Sequence, residues 1–408
     1  MARELTEVER AREIVLEAAR PLGSEPVPLG DALGRILAED VTSADAVPGF
    51  DNSAMDGFAV HSADSERAAP GSPVTYPVVG ESRAGHPWDG TVEPGAAVRI
   101  STGAMFPEGA DAVIRVEEAE VSGEEMRSEQ LVQPGRDVRR AGDDIRPGDT
   151  VIRAGAQLGP AELGVLASVG RASPECARRP TLALISTGDE LLAPEEPMRP
   201  GGVRNTNAWS LPAMARLAGA DVVSIESVGD DLAATRDTLS AALEADVTVI
   251  CGGVSVGPHD HVRPALLDLG AEQAFWGVAL RPGRPTWFGT AAGGQLAFGL
   301  PGNPVSAVVT FLLFVRPALR AMAGADPGRD RATAALDGGY EKGPGRMHAI
   351  RVGLELADDG WHARLTREAQ ESHVLTSMLG ADALALIPAE AESIADGERV
   401  AVELLPRA

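Results

Sequence analysis

The chain has 408 residues, of which 44% are hydrophobic and 24% charged, and its formal net charge is −24. At roughly 100–200 residues per domain this length implies two to four globular domains, and the composition excludes a disordered chain. So acidic a protein disfavours nucleic acid and anionic membranes as partners, and any phosphate site on it must gather positive groups of its own.

Lys342 is the only lysine, so 35 of the 36 basic residues are arginine. An arginine standing where another protein uses lysine therefore says little about altered function. Cys176 and Cys251 are too few for a disulfide framework or a four-cysteine zinc site. Glu4, Glu7 and Glu9 occupy the place of a signal peptide's basic region, and the apolar run 305–315 falls short of the ~20 residues of a membrane span. The expectation is a cytoplasmic, reduced setting.

Residues 5–19 predict a helix, with Val8, Ala11, Val15 and Ala18 at helical spacing and Thr6 with Glu9 as a capping box. From about 47 to 155 the texture changes to short β-type runs at 74–79, 96–100, 112–116 and 150–152, with Arg146-Pro-Gly-Asp149 as a turn. A short helix follows at 160–169. Beyond Pro180, apolar runs at 181–186, 221–228, 247–251 and 296–300 alternate with helical segments near 207–218, 231–244, 262–268 and 304–322. That alternation predicts a doubly wound parallel sheet with its ligands at the carboxyl ends of the strands. Asn303 suits the N-cap of the last helix and Pro304 its first position. Residues 327–344 read as a linker. The runs at 349–354, 383–387 and 399–404 then predict a small barrel or sandwich.

Four loops follow predicted strands: Ser186-Thr-Gly-Asp-Glu190, Gly229-Asp-Asp231, Cys251-Gly-Gly-Val-Ser-Val-Gly-Pro-His-Asp260 and Leu300-Pro-Gly-Asn-Pro304. In a parallel sheet all four converge on one edge. Gly252, Gly253 and Gly257 let backbone N–H groups approach phosphate oxygens, and the helix that follows adds partial positive charge. The same edge gathers Asp189, Glu190, Asp230, Asp231 and Asp260. Two carboxylates ~5 Å apart repel by about 3 kcal/mol at an effective dielectric of ~20, so the cluster calls for a cation, and Mg²⁺ shared with phosphate suits it. Taken singly such acids are solvated turn residues or caps, and Asp231 is the best candidate for a plain cap.

Gly253-Val-Ser-Val-Gly257 also fits the nucleophile elbow of a serine hydrolase, with Asp268 and then His348, His362 or His373 in the required order. Pro258 interrupts the helix that reading needs, and Ser255 is better read as a phosphate donor. His259 and His261 flank Asp260 but lack a third soft ligand for zinc. Arg281-Pro-Gly-Arg284 supplies two fork-shaped donors suited to an oxyanion.

The segments DNSAMDGFAV (51–60), RISTGAMFPEGADAV (99–113), RRAGDDI (139–145), STGDELL (186–192), NTN (205–207), CGGVSVGPHD (251–260) and LPGNPVSAVVTF (300–311) together resemble the molybdopterin molybdenumtransferase (MoeA) family, which includes the C-terminal part of gephyrin. The resemblance runs across nearly the whole chain. It implies a multidomain α/β plus β protein: a central MoaB/Mog-like doubly wound domain (176–326), an irregular β-rich region (47–140), an N-terminal helical and linker part (1–46 with 141–175), and a small C-terminal β-barrel (327–408). It also implies a homodimer that inserts molybdate into adenylylated molybdopterin with release of AMP, assisted by Mg²⁺, and dealings with other proteins of that pathway.

By the same resemblance Asp56 and Thr102 complete the site across the dimer. Glu190 and Asp230 act near the nucleotide or oxyanion, with Asp230 and Asp260 on the metal. Arg281 contacts the anionic ligand, Pro301 and Pro304 shape the cleft, and Asp189, Arg284, Asn303 and Ser372 join the substrate contacts. Two departures stand out. Gly277 occupies a place where the family often carries lysine, and Glu371 replaces a glycine in the Gln370-Glu-Ser-His-Val-Leu-Thr-Ser377 segment. They leave open a tungstate-selecting paralogue, or a gephyrin-like scaffold without catalysis.

Overall fold

Among the described residues, 5–254 and 260–406, three six-stranded sheets organise the chain in this computed structural model. The N-terminal helix α1 (Val8–Ala18) buries Val8, Ala11 and Val15 on one face. The expected capping box does not form: Glu7 is the N-cap, without a side-chain bond. Thr6 is drawn off by the α/β domain, its N–H donating to the carbonyl of Gly277 at 3.0 Å. Tertiary pairing satisfies that donor instead of the local cap.

The first sheet is built from β1 (Gly57–Val60), β2 (Val74–Ser82), β3 (Ala97–Ile100), β4 (Ala112–Arg115), β5 (Glu120–Ser122) and β6 (Glu125–Ser128), in the order β4–β1–β3–β2–β6–β5. The 146–149 turn closes as expected, the N–H of Asp149 donating to the carbonyl of Arg146 at 3.0 Å. Helix α2 (Pro160–Ser168) follows.

The central sheet holds β7 (Thr181–Thr187), β8 (Asp221–Val228), β9 (Val247–Cys251), β10 (Glu272–Trp276), β11 (Trp287–Thr290) and β12 (Leu296–Leu300), in the order β8–β7–β9–β12–β11–β10. Helices α3 (Asn207–Leu217), α4 (Leu232–Ala242) and α5 (Val262–Asp268) lie between its strands. The expectation of a parallel sheet holds for β8, β7, β9 and β12 and is corrected for β11, which runs antiparallel to both neighbours. The 277–286 and 291–295 connections are too short to carry a crossover helix, so they can only turn the chain back.

Helix α6 (Pro304–Met322) follows, with a wider turn at Phe311–Val315. It is long and apolar enough to cross a membrane, yet nearly all of it is buried within the protein. It fills the core between α1, one face of the central sheet, and Ala349, Leu384 and Leu386 of the C-terminal domain.

The expected linker at 327–344 is corrected too, because β13 (Arg331–Leu336) lies inside it. Its Ala-Thr-Ala-Ala-Leu run pairs antiparallel with β17 (Glu398–Leu404), and the glycines and acids flanking it disguise the strand. With β14 (Met347–Ala357), β15 (Gly360–Leu365) and β16 (Ala383–Ile387), it closes a five-stranded barrel, and Leu280 and Arg281 add a sixth, parallel strand beside β14.

Candidate active site

Register aligns four strand ends in one row. Ser186 of β7 pairs with Ser227 of β8 and Cys251 of β9, and Cys251 pairs with Leu300 of β12. The loops that leave this row line a cavity of about 780 Å³, closed on the barrel side by His373 and Leu375. Two glycines make the tightest of these loops possible. Gly252 has φ +91°, and a Cβ there would meet the carbonyl oxygen of Thr187 at 2.8 Å. Gly253 has φ +60°, and its Cβ would strike Val262 at 2.6 Å. Only glycine accepts both constraints at low strain.

Glu190, Asp230 and Asp260 line the cavity, as do Gly252, Gly253, Pro301, Asn303 and Pro304. The expected convergence of five acids is narrower in fact. Asp231 caps α4 by accepting the N–H of Ala234 at 2.7 Å, and Asp189 accepts the N–H of Asp230 at 3.1 Å, fixing that loop from outside the wall. Among the described residues no three His, Cys, Asp or Glu side chains lie close enough to ligate one ion. Ser255, Gly257 and His259 lie outside the described residues. Cys251 borders the cavity, but burial pushes its thiol up to about 12, so no thiolate is on offer.

Asn303 stands at the N-cap of α6 without capping it. Its Nδ2 instead donates to Ser372 Oγ at 3.1 Å, and the Val305 N–H donates to the Ser372 carbonyl at 3.3 Å. Ser372 is thereby fixed at the rim. Beside it lies a basic cluster that sequence reading did not assemble. Arg351, fully buried on β14, donates from Nε to Ser377 Oγ at 3.0 Å and from Nη2 to the Glu371 carbonyl at 3.4 Å. Burial brings its pKa down to about 10. Burial, then Arg281, Lys342 and Arg346, hold His348 down to about 4, and its Nδ1 pairs with the Tyr340 hydroxyl at 3.2 Å.

Arg281 and Arg284 are exposed and lie outside the cavity wall, whereas Pro285 is part of it. Glu371 acts through its carbonyl, so its acidic side chain leaves this contact intact. Gly277 has φ +86° and would bring a Cβ to 3.0 Å from Leu5. A lysine on this backbone would be strained.

Asp56 and Thr102 meet each other but do not border this cavity: Asp56 Oδ1 accepts the Thr102 N–H at 2.7 Å. The 51–58 and 139–145 motifs also join, through pairing of Asn52 and Ser53 with Arg139 and Val138 and through Arg140 Nη1 donating to Asp51 at 2.6 Å. Of the partners that the hydrolase reading needs, only His373 borders the cavity. His362 is held by Asp337 and Asp359, His348 pairs with Tyr340, and Asp268 closes α5 at the end remote from the loop.

Two asparagines of the 205–207 motif were not assigned roles from sequence. Asn205 accepts from Ser186 Oγ at 3.3 Å and donates to Ser227 Oγ at 3.1 Å, crosslinking two strand ends. Asn207 Nδ2 donates to the Gly302 carbonyl at 2.9 Å, while its buried Oδ1 has no partner among the described residues. Asparagines opening a helix read as local caps. Their long-range bonds appear only in three dimensions.

Comparison with known proteins gives a consistent picture. Residues 6–170 match the family described as the MoeA N-terminal region (domain I and II), 183–321 a probable molybdopterin binding domain, and 333–405 the MoeA C-terminal region (domain IV). The chain is 36% identical to molybdopterin molybdenumtransferase 2 of Mycobacterium tuberculosis, over 98% of this chain and 99% of the relative. It is 34% identical to the molybdopterin molybdenumtransferase of Haemophilus influenzae, over 97% and 98%. The crystal structure of a molybdopterin biosynthesis MoeA protein from Pyrococcus horikosii superposes with a TM-score of 0.85 at 33% identity, covering 99% of this chain and all of that one.

Proposed function

The chain belongs to the MoeA family of molybdopterin molybdenumtransferases, and on that premise we propose that the cavity at the ends of β7, β8, β9 and β12 binds adenylylated molybdopterin. The enzyme acts in molybdenum cofactor biosynthesis, and in this reading molybdate replaces the adenylate, releasing AMP. The observation that carries the assignment is the single row of strand ends, which brings Glu190, Asp230 and Asp260 to the same cavity as the open backbone of Gly252 and Gly253.

Each group then has a task. The loop at 251–254 receives phosphate oxygens, with Ser255 and Gly257 assigned to the same task from sequence alone. Asn207 Oδ1 accepts an N–H from the ligand and so gains the partner it lacks among the described residues. Glu190 and Asp230 stand near the nucleotide, and Asp189 holds Asp230 in place. Pro301, Asn303 and Pro304 form the wall. Arg281, Arg284 and Ser372, backed by Arg351, attract and seat the oxyanion.

Mg²⁺ fits the donor set. The acids of the cavity offer hard oxygen ligands, and Mg²⁺ is commonly held by one or two carboxylates plus substrate phosphates. Asp230 and Asp260 would hold it, and it would offset the charge on the phosphate oxygens.

In the proposed form, a cytoplasmic homodimer, the partner subunit's Asp56 and the partner subunit's Thr102 complete the site, consistent with neither residue lining the cavity of its own chain. The non-catalytic scaffold is not favoured, because near-full-length relatives are named transferases. Asp260→Asn tests the site. With purified protein, Mg²⁺, molybdate and adenylylated molybdopterin, AMP release should be lost while thermal melting stays unchanged. Full activity would remove Asp260 from the site.

A further inference from the structure

A second concave site lies at the far end of α3, about 16 Å along the helix from Asn207. This cavity of about 280 Å³ is lined by Arg35, Arg179, Arg216, Arg320 and Arg329, with Asp326 as its acid. Its walls come from 34–36 and 155–157 of the N-terminal region, from 177–179 and 216–219 of the α/β domain, and from the end of α6 and the segment that leaves it. Five of 36 basic residues thus meet at one small hollow of a protein whose net charge is −24.

Helix capping explains part of this. Arg216 and Arg320 lie in the last turns of α3 and α6, where a cation opposes the helix dipole. It does not explain the rest. Arg35, Arg179 and Arg320 are paired with Glu25 at 2.6 Å, Asp221 at 3.5 Å and Asp330 at 2.9 Å. Arg329 donates to the uncharged amide oxygen of Gln157 at 2.5 Å and makes no ion pair among the described residues. Among them Arg216 makes neither an ion pair nor a side-chain hydrogen bond, and the buried Nε of Arg35 has no partner. Buried donors left unmade are costly, and planar forks with spare donors are the groups that seat a tetrahedral oxyanion.

We propose that this junction binds a phosphate group and that the bound phosphate fastens the N-terminal region to the α/β domain and to the segment leading into the barrel. The inference stands apart from the catalytic assignment, since the two cavities lie at opposite edges of the central sheet. The phosphate can be free, or it can belong to a nucleotide such as AMP.

Hydrogen exchange followed by mass spectrometry on the full chain separates these possibilities. Inorganic phosphate should slow exchange saturably in the 34–37, 154–158 and 323–329 segments, beyond sodium chloride at equal ionic strength. Arg216→Gln and Arg329→Gln, both at exposed positions, should each raise the half-saturating concentration by about tenfold. The Asp260→Asn variant should show the same protection as the unmodified chain, because its change touches only the catalytic cavity. Half-saturation by AMP at a lower concentration than phosphate assigns the group to a nucleotide, and the reverse order assigns it to the free ion. Protection that sodium chloride reproduces, that is confined to the 187–192 and 229–232 loops, or that survives both arginine changes together would overturn the proposal.

Discussion

Asn207 donates from Nδ2 to the carbonyl of Gly302 at 2.9 Å, which staples the first residue of α3 to the loop after β12. The bond fixes the orientation of the amide, and its Oδ1 is left in the cavity wall with no partner among the described residues. A buried acceptor left unmade costs about 1–3 kcal/mol, which a ligand N–H would restore.

Asn207→Ala should therefore lower kcat/KM for adenylylated molybdopterin by about ten- to a hundredfold. Its melting temperature should change little, because the lost bond to Gly302 is offset by removal of the unsatisfied oxygen. Steady-state kinetics with a thermal melt check both. An unchanged kcat/KM would show that the ligand does not use this acceptor.

The packing of the barrel on the rest of the chain depends on Glu403. This residue is 1% exposed and meets Arg316 at 2.6 Å, Arg331 at 3.3 Å and Arg12 at 3.4 Å, joining β17 to α6, β13 and α1. Burial lowers the pKa of Arg12 and Arg316, and Glu403 opposes that effect on both. Glu403→Gln would leave buried guanidinium groups short of charge, and denaturant unfolding should record a loss of about 3–5 kcal/mol.

His348 gives a pH signature. Its folded pKa is about 4, against 6.5 for the free group. As pH falls below 6.5 the unfolded chain takes up a proton that the folded chain refuses until about pH 4. Stability is therefore lost through that window as acid is added, by up to about 3 kcal/mol. Denaturation curves of His348→Gln should fall less steeply between those two pH values than those of the unmodified chain.

Site sharing between subunits can be tested by complementation. Asp56→Asn and Asp260→Asn chains, each inactive alone, should recover about a quarter of normal activity when mixed and reassembled as random dimers. That fraction follows if half the dimers are mixed and each carries one intact site. No recovery would place both residues in sites built from one chain.

Much of the central sheet was legible because buried parallel strands are continuous apolar runs, as in the 181–186, 247–251 and 296–300 segments. The Glu272–Trp276 strand escaped because its first three residues are exposed and polar or small. The Arg331–Leu336 strand was hidden by its Gly-, Asp- and Arg-rich surroundings. Within the site, Asp260 and the glycine loop announce themselves by type and spacing. Asn207 and Arg351 do not. An asparagine at a helix start reads as a local cap and an arginine as surface, and only a fold that buries both reveals their roles.

The central claim is that the pterin nucleotide occupies the cavity between Asp260, Asn207 and the loop after β9. A co-crystal with adenylylated molybdopterin and Mg²⁺, soaked with molybdate or tungstate, tests it most directly. The prediction is ligand density within that cavity, an N–H of the ligand on Asn207 Oδ1, a metal on Asp230 and Asp260, and oxyanion density toward Ser372 and Arg281. Ordered pterin density elsewhere on the chain, with this cavity holding solvent, would contradict it.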